Sequence, residues 1–308
     1  MTGELQFIDM IRGLAGEGAR DFADDAAVIA VGGETLVLTH DMMVEGRHWP
    51  ADADPADVAW KLVAVNLSDL AAKGARPIAL LLGFTLGDDD WDRRFAEGLG
   101  MALAAFGAPL LGGDTVGAGA GGRSLGLTAI GRASEPVPAR SGARAGDALY
   151  VCGAIGDAMA GHALGKHSAD HPALHAAFHR PMPLLEEGAA LAPHVHAMMD
   201  ISDGLLLDAS RMADASGLTV DIERDAVPMS EAFTQWLDGF SQKEAAKAQQ
   251  DRLSWGDDYA LLFAASVDAA LPVEAVRVGR FVARGESRLL LDGAPVDIDM
   301  KLGYAHES

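Results

Sequence analysis

One helix constrains this chain more than any other segment. Asp54-Pro55-Ala56-Asp57 reads as a helix start: an acidic N-cap, Pro at the first helical position and a second acid close behind. The run AWKLVAVNLSDLAAK follows and stops at Gly74, with Pro77 beyond. Val58, Ala59, Trp60, Leu62, Val63, Val65, Leu67 and Leu70 make the helix apolar nearly all round. Such a helix is buried, so other layers must cover it. Yet Asn66, Asp69 and Lys73 share one stripe of it, at i, i+3 and i+7. A buried carboxylate requires a partner. Lys73, four residues on from Asp69, is one possibility, and a metal ion is the other.

The flanking segments supply the layers. Ala26–Val31 and Thr35–Thr39 predict a hairpin about Gly32-Gly33-Glu34. Pro77–Leu86 is a strand, Asp88-Asp89-Asp90 opens a helix that Gly107 closes, and Ala108–Leu111 and Ser124–Arg132 are strands joined by the loop Gly117–Gly122. The first half thus reads ββαβαββ. Glu135–Gly146 is rich in Pro, Gly and Arg and marks a domain boundary. Beyond it, strands are expected at Ala148–Cys152, Ala197–Met199, Leu218–Glu223, Tyr259–Ala264 and Val276–Ala283, with a closing hairpin at Leu289–Ile298. Helices are expected at Asp157–Leu164, Leu184–Leu191 and Gly204–Ala215, and along Ser230–Arg252. The 308 residues fit two domains at about 150 residues each, 1–136 and 137–308, of α/β (α+β) class.

Charge excludes several functions. Lys plus Arg number 24 and Asp plus Glu 45, a net charge of −21. Such a field repels nucleic acid and anionic membranes, so neither is an expected partner. It also repels phosphorylated metabolites unless cations intervene. Cys152 is the only cysteine, which excludes a disulfide framework within one chain. The longest apolar stretch, Pro77–Leu86, is too short for a membrane span, and the N-terminus lacks a signal pattern. A cytoplasmic location is expected.

The acids are informative by position. Asp25, Asp41, Asp114, Asp200 and Asp258 adjoin predicted strands, and Ser202-Asp203 follows Asp200 closely. Each could be a turn or cap residue. Together they suit one sheet edge, where layered folds place ligands. Two carboxylates 4 Å apart repel by about 4 kcal/mol at an effective dielectric of 20. A cluster therefore calls for divalent cations, and all-oxygen ligands suit Mg²⁺, Mn²⁺ or Ca²⁺. Mg²⁺ would also let an acidic protein hold phosphates.

Other phosphate signals are weak. No P-loop is present, and Gly153-Ala-Ile-Gly156 is better read as helix packing than as half a dinucleotide fingerprint. Arg140 and Arg144 could grip phosphate or simply be solvated. Ser202 and Asp203 stand at a helix N-terminus, which suits anions. His167, His171, His175 and His179 recur every fourth residue, but Pro172 interrupts them and a solvated face is the expected reading. His48, beside Trp49, is a ligand-contact candidate or a packing residue.

LTHDMMVEGRHW, NLSDLAAKGARP, LLGGDT, ARSGARAGD, DISDGLLLD and WGDDYALLF occur in this order. Together they closely resemble the thiamine-monophosphate kinase family, from about Gly3 to Tyr304. That family belongs to the superfamily of aminoimidazole-ribonucleotide synthetase and selenophosphate synthetase. The resemblance implies a two-domain PurM-like fold. Its N-terminal domain contributes to a dimeric β-barrel, its C-terminal domain is α/β, and the active site lies between them. It implies transfer of phosphate from ATP to thiamine monophosphate, giving thiamine diphosphate. It further implies a Mg²⁺ site of Asp25, Thr39, His40, Asp41, Asp69, Asp114, Asp200 and Asp203. Gly113, Asp114, Arg140 and Ser202 would contact ATP; His48, Asp257 and Tyr304 would contact the thiamine substrate. Asp69 is the expected catalytic carboxylate, and a homodimer is expected. Asp257, with Trp255 nearby, is expected to favour the thiazolium cation. Other ATP-using enzymes of the superfamily are the alternative. An acidic Ca²⁺-binding protein is disfavoured, because no EF-hand loop is present.

Overall fold

The computed structural model describes residues 4–117, 122–296 and 302–304. Most of the predicted loop Gly117–Gly122, and Ile298 at the end of the predicted hairpin, lie outside the described residues. The first half runs α1 (Glu4–Ile11), β1 (Ala27–Val31), β2 (Glu34–Val44), α2 (Pro55–Ala72), β3 (Arg76–Leu86), α3 (Asp89–Phe106), β4 (Leu110–Gly117) and β5 (Ser124–Ala133). After α1 this is the expected ββαβαββ. The five strands form one sheet in the order β1-β2-β5-β3-β4, antiparallel except for β3 with β4. The sheet is open, with β1 and β4 at its edges.

The second half runs β6 (Ala148–Cys152), α4 (Asp157–Leu164), α5 (Pro172–His179), α6 (Leu185–Leu191), β7 (Ala197–Asp200), α7 (Leu205–Ala215) and β8 (Leu218–Ile222). It continues with α8 (Glu231–Leu237), α9 (Gln242–Asp251), β9 (Leu261–Ala265), β10 (Val276–Ala283), β11 (Leu289–Leu291) and β12 (Ala294–Pro295). Its seven strands form a second sheet, ordered β12-β11-β8-β10-β6-β9-β7.

α2 is the core of the molecule. Asp54 caps it, its carboxylate accepting from the Ala56 N–H at 2.9 Å. Every residue of α2 except Pro55 and Trp60 is buried. Val58, Leu62 and Leu70 pack with Leu125 and Leu127 of the first sheet. Ala71 and Ala72 pack with Tyr150, Leu261 and Phe263 of the second. Two glycines permit this crowding. A Cβ on Gly98 of α3 would stand 2.3 Å from the Ala56 backbone, and one on Gly188 of α6 would stand 2.0 Å from the Ala71 carbonyl oxygen.

Three expectations change. β2 extends to Val44 and β4 occupies 110–117, so Asp41 and Asp114 lie within strands and not at their ends. The stretch Ser230–Arg252 is two helices, because it carries two caps: Ser230 accepts from the Phe233 N–H, and Ser241 forms a capping box with Glu244. The His-rich stretch is not simply solvated. Pro172 starts α5 at its first position, and Leu174 and Phe178 are buried.

Candidate active site

The site begins where α2 crosses β2. Along β2 successive side chains alternate faces, and Val37, Thr39 and Met43 are buried on the α2 side. Asp41 shares that side. Its N–H donates to Asn66 Oδ1 at 3.0 Å, while Asn66 Nδ2 donates to the Leu62 carbonyl at 2.9 Å. The Thr39 hydroxyl donates to Asp69 Oδ2. Asp200 closes the group from the end of β7, accepting from the Ser68 hydroxyl at 2.6 Å. Three elements thus bring Thr39, Asp41, Asp69 and Asp200 together.

These acids repel one another. Burial, then the charges of Asp41, Asp200 and Asp25, push the Asp69 carboxyl well above its ordinary range. Burial, then the charge of Asp25, push Asp200 up to about 8. The Thr39 and Ser68 hydroxyls oppose these shifts without cancelling them.

Lys73 does not serve Asp69. It reaches past the helix stripe to Asp24 and, at 2.8 Å, to Asp25, and donates to the Met198 carbonyl at 3.1 Å. The Arg140 guanidinium also pairs with Asp25, and the Arg140 N–H donates to Asp24 Oδ1 at 3.2 Å. Burial alone would raise Asp25, but Lys73 and Arg140 hold it well below the ordinary carboxylate range. Of the two partners open to Asp69 in the sequence, the lysine is therefore committed elsewhere. Arg140 is built into the same cluster, whereas Arg144 turns to His196, its guanidinium 3.1 Å from Nε2.

Other expected residues sit apart. His40 points to the opposite face of the sheet, with Nδ1 at 2.9 Å from the Thr128 hydroxyl, so only its carbonyl could reach the acids. Asp114 shares that opposite face, where it lines a shallow hollow with His40 and Met42. Gly113 beside it has φ of +153°, and a Cβ there would lie 1.8 Å from the Leu82 carbonyl oxygen, so no larger residue fits. Asp203 is paired with Arg211 at 2.5 Å. The N–H groups of Asp203 and Gly204 donate to Asp208 at 3.0 and 3.2 Å, so that helix start already holds a carboxylate. Burial pushes Asp208 up to about 7, against the pull of Arg211. His48 lies in the turn after β2, Nδ1 accepting from the Val44 N–H at 2.9 Å. Among the described residues, no three Asp, Glu, His or Cys side chains are set to hold a single ion.

A second wall comes from Trp255–Tyr259. The Asp257 N–H donates to the Ser202 carbonyl, the Tyr304 N–H to the Asp203 carbonyl and the Tyr259 N–H to the Ile201 carbonyl, each at 2.8 Å. Ser202, Asp203, Asp257 and Tyr304 are thereby clamped into one loop cluster. Trp255 faces His162, with ring centroids 5.0 Å apart. Asp24, Lys61, Asp208 and Arg211 contact or adjoin the candidate residues and were not singled out from the sequence. Asp24 directly precedes the candidate Asp25, and Asp208 is an acid four residues after the helix-capping Gly204; Lys61 and Arg211 left no local signal.

Residues 23–133 match the family model "AIR synthase related protein, N-terminal domain", and residues 144–252 match its C-terminal counterpart. The chain is 34% identical to thiamine-monophosphate kinase of Salmonella typhimurium, covering 98% of this chain and 96% of that protein. It is 37% identical to the enzyme of that name from Caulobacter vibrioides, covering 94% and 85%. Its fold matches the solved structure of AaThiL complexed with AMPPCP and TMP, with a TM-score of 0.88, 28% identity, and coverage of 99% and 97%.

Proposed function

The chain belongs to the thiamine-monophosphate kinase family, within the AIR synthase related proteins, and on that premise we propose that it phosphorylates thiamine monophosphate with ATP, yielding thiamine diphosphate and ADP. The observation that carries the chemistry is the buried acid cluster. Asp69 and Asp200 take their hydrogen bonds from hydroxyls, while Lys73 and Arg140 are committed to Asp24 and Asp25. Such a group fits Mg²⁺, which binds oxygen donors. Mg²⁺ commonly takes only one or two carboxylates together with substrate phosphates and waters, so a preformed three-acid cage is not required.

Asp25, Asp41, Asp69 and Asp200, with the Thr39 hydroxyl and the His40 carbonyl, would hold Mg²⁺; Asp203 would join from the Ser202 loop. When bound, the metal neutralises phosphate charge. The protein's own part is positioning, which dominates phosphoryl transfer. Gly113 and Asp114 lie on the edge strand β4, where a nucleotide running along that edge would meet them; Arg140 and Ser202 would meet its phosphates. His48, Asp257 and Tyr304 would hold the thiamine end. The attacking phosphate oxygen is already anionic at neutral pH, so direct in-line transfer needs no strong base. We take 1–136 as the nucleotide- and metal-binding domain and 137–308 as its partner.

Incubation with ATP, MgCl₂ and thiamine monophosphate, read by chromatography of thiamine diphosphate, tests this reading. Product should appear only with all three. ATP hydrolysis indifferent to thiamine monophosphate would favour another reaction of the superfamily. The open first sheet exposes Met42, Leu81 and Val116 on the face away from α2. Pairing of two such faces would bury these apolar side chains. Light scattering should therefore return twice the 32.0 kDa chain mass. A fully active monomer at micromolar concentration would remove the dimer from the account.

A further inference from the structure

Lys61 lies in α2, buried, eight residues before Asp69. At 1.5 Å per residue that is about 12 Å along the helix from the acid cluster. Its ammonium meets Asp257 Oδ2 at 2.9 Å and stands 4.1 Å from the centroid of the Phe178 ring. The Tyr259 hydroxyl donates to the other oxygen, Oδ1, also at 2.9 Å. Asp257 has φ of +66°, a conformation that Asp tolerates better than most residues. Its side chain keeps 32% of its surface open, against 5% for Lys61. The ammonium stands behind the carboxylate, and the carboxylate faces out.

This arrangement changes what Asp257 offers a ligand. A carboxylate already paired with an ammonium is close to neutral as a unit, so it draws a diffuse cation only weakly. Each oxygen still has a lone pair to spare, because a carboxylate accepts at about four positions. Its orientation is also fixed before any ligand arrives, since the two oxygens are held from different elements. A phosphate at the acid cluster would leave the far end of an extended thiamine monophosphate at this distance. We propose that Lys61 is a positioning residue for substrate recognition: it fixes and neutralises Asp257, so that this carboxylate serves as a hydrogen-bond acceptor for the uncharged aminopyrimidine end and not as counter-ion to the cationic ring. This rests on the kinase reading above and replaces the expectation that Asp257 attracts the thiazolium by charge.

The test is steady-state kinetics of thiamine diphosphate formation. Product from the unmodified enzyme is established first; its absence strikes the kinase reading itself. Given that activity, Lys61→Met should raise KM for thiamine monophosphate by about tenfold, with kcat and KM for ATP within about twofold, as loss of substrate binding alone requires. Lys61→Arg should recover most of the loss. A lower KM in Lys61→Met would mean that the unmasked charge attracts the substrate and would overturn the proposal. So would an equal change in both KM values, or a loss confined to kcat. Should Lys61→Met fail to fold, Asp257→Asn decides: it keeps an acceptor oxygen and loses the charge. KM within about threefold supports the proposal, and a rise beyond about tenfold overturns it.

Discussion

Asp69→Asn should lower turnover by more than about tenfold, at least 1.4 kcal/mol of barrier, while the protein stays folded. The substitution keeps the shape of the side chain and an oxygen for the Thr39 hydroxyl. It removes a carboxyl whose ionised form is penalised by burial and by the charges of Asp41, Asp200 and Asp25. The folded protein without metal should therefore not be weakened and should melt no lower than the parent. Circular dichroism with an initial-rate assay separates the two effects. Near-normal turnover in a folded variant would take Asp69 out of the site, leaving the cluster as a packing oddity.

Stability should depend on pH and Mg²⁺ together. Asp200 has its carboxyl raised from 3.8 to about 8. Between those values the folded chain binds more protons than the unfolded one, so stability falls as pH rises through the window. Asp69 acts in the same direction. Asp25 acts in the opposite direction, since its depressed carboxyl favours the fold above its unfolded value and ceases to do so in acid. The metal-free protein should thus lose on the order of a few kcal/mol between about pH 5 and pH 8. Mg²⁺ requires the ionised acids, so its affinity should climb over the same range and offset the loss at the upper end. Urea melts in EDTA and in MgCl₂ at several pH values measure this. A flat profile, or one that Mg²⁺ leaves unmoved, would count against a metal role for these carboxylates.

Local chemistry made much of the fold legible. The Asp54 cap, the Pro at the helix start and the apolar girth of α2 predicted both its bounds and its burial. β2 was read short for a physical reason. Past Leu38 its first two inward positions are Thr39 and Asp41, with apolar Met43 only after them, while Met42 and Val44 face outward, so the usual alternation is inverted at the site. Helix spacing alone left Lys73 open as a partner of Asp69, because the nearest acid in sequence is not the nearest in space: Asp24 and Asp25 come from another segment. The Lys61–Asp257 contact joins residues 196 apart, and no local pattern announces such a pair. His40 and Asp114 carry the right chemistry, but the pleat of the sheet turns them to its other face.

α2 is tied to the second half of the chain at several points, among them three rungs that run to its sheet and loop cluster: Lys61 to Asp257, Ser68 to Asp200, and Lys73 to the Met198 carbonyl. They span twelve residues, about 18 Å of helix. A beam fastened at three points along its length resists torsion and bending alike. Swinging one half of the molecule against the other would shear at least two of these rungs and strand polar groups out of water. Hinge rotation is therefore an unsuitable way for this protein to admit and release its ligands.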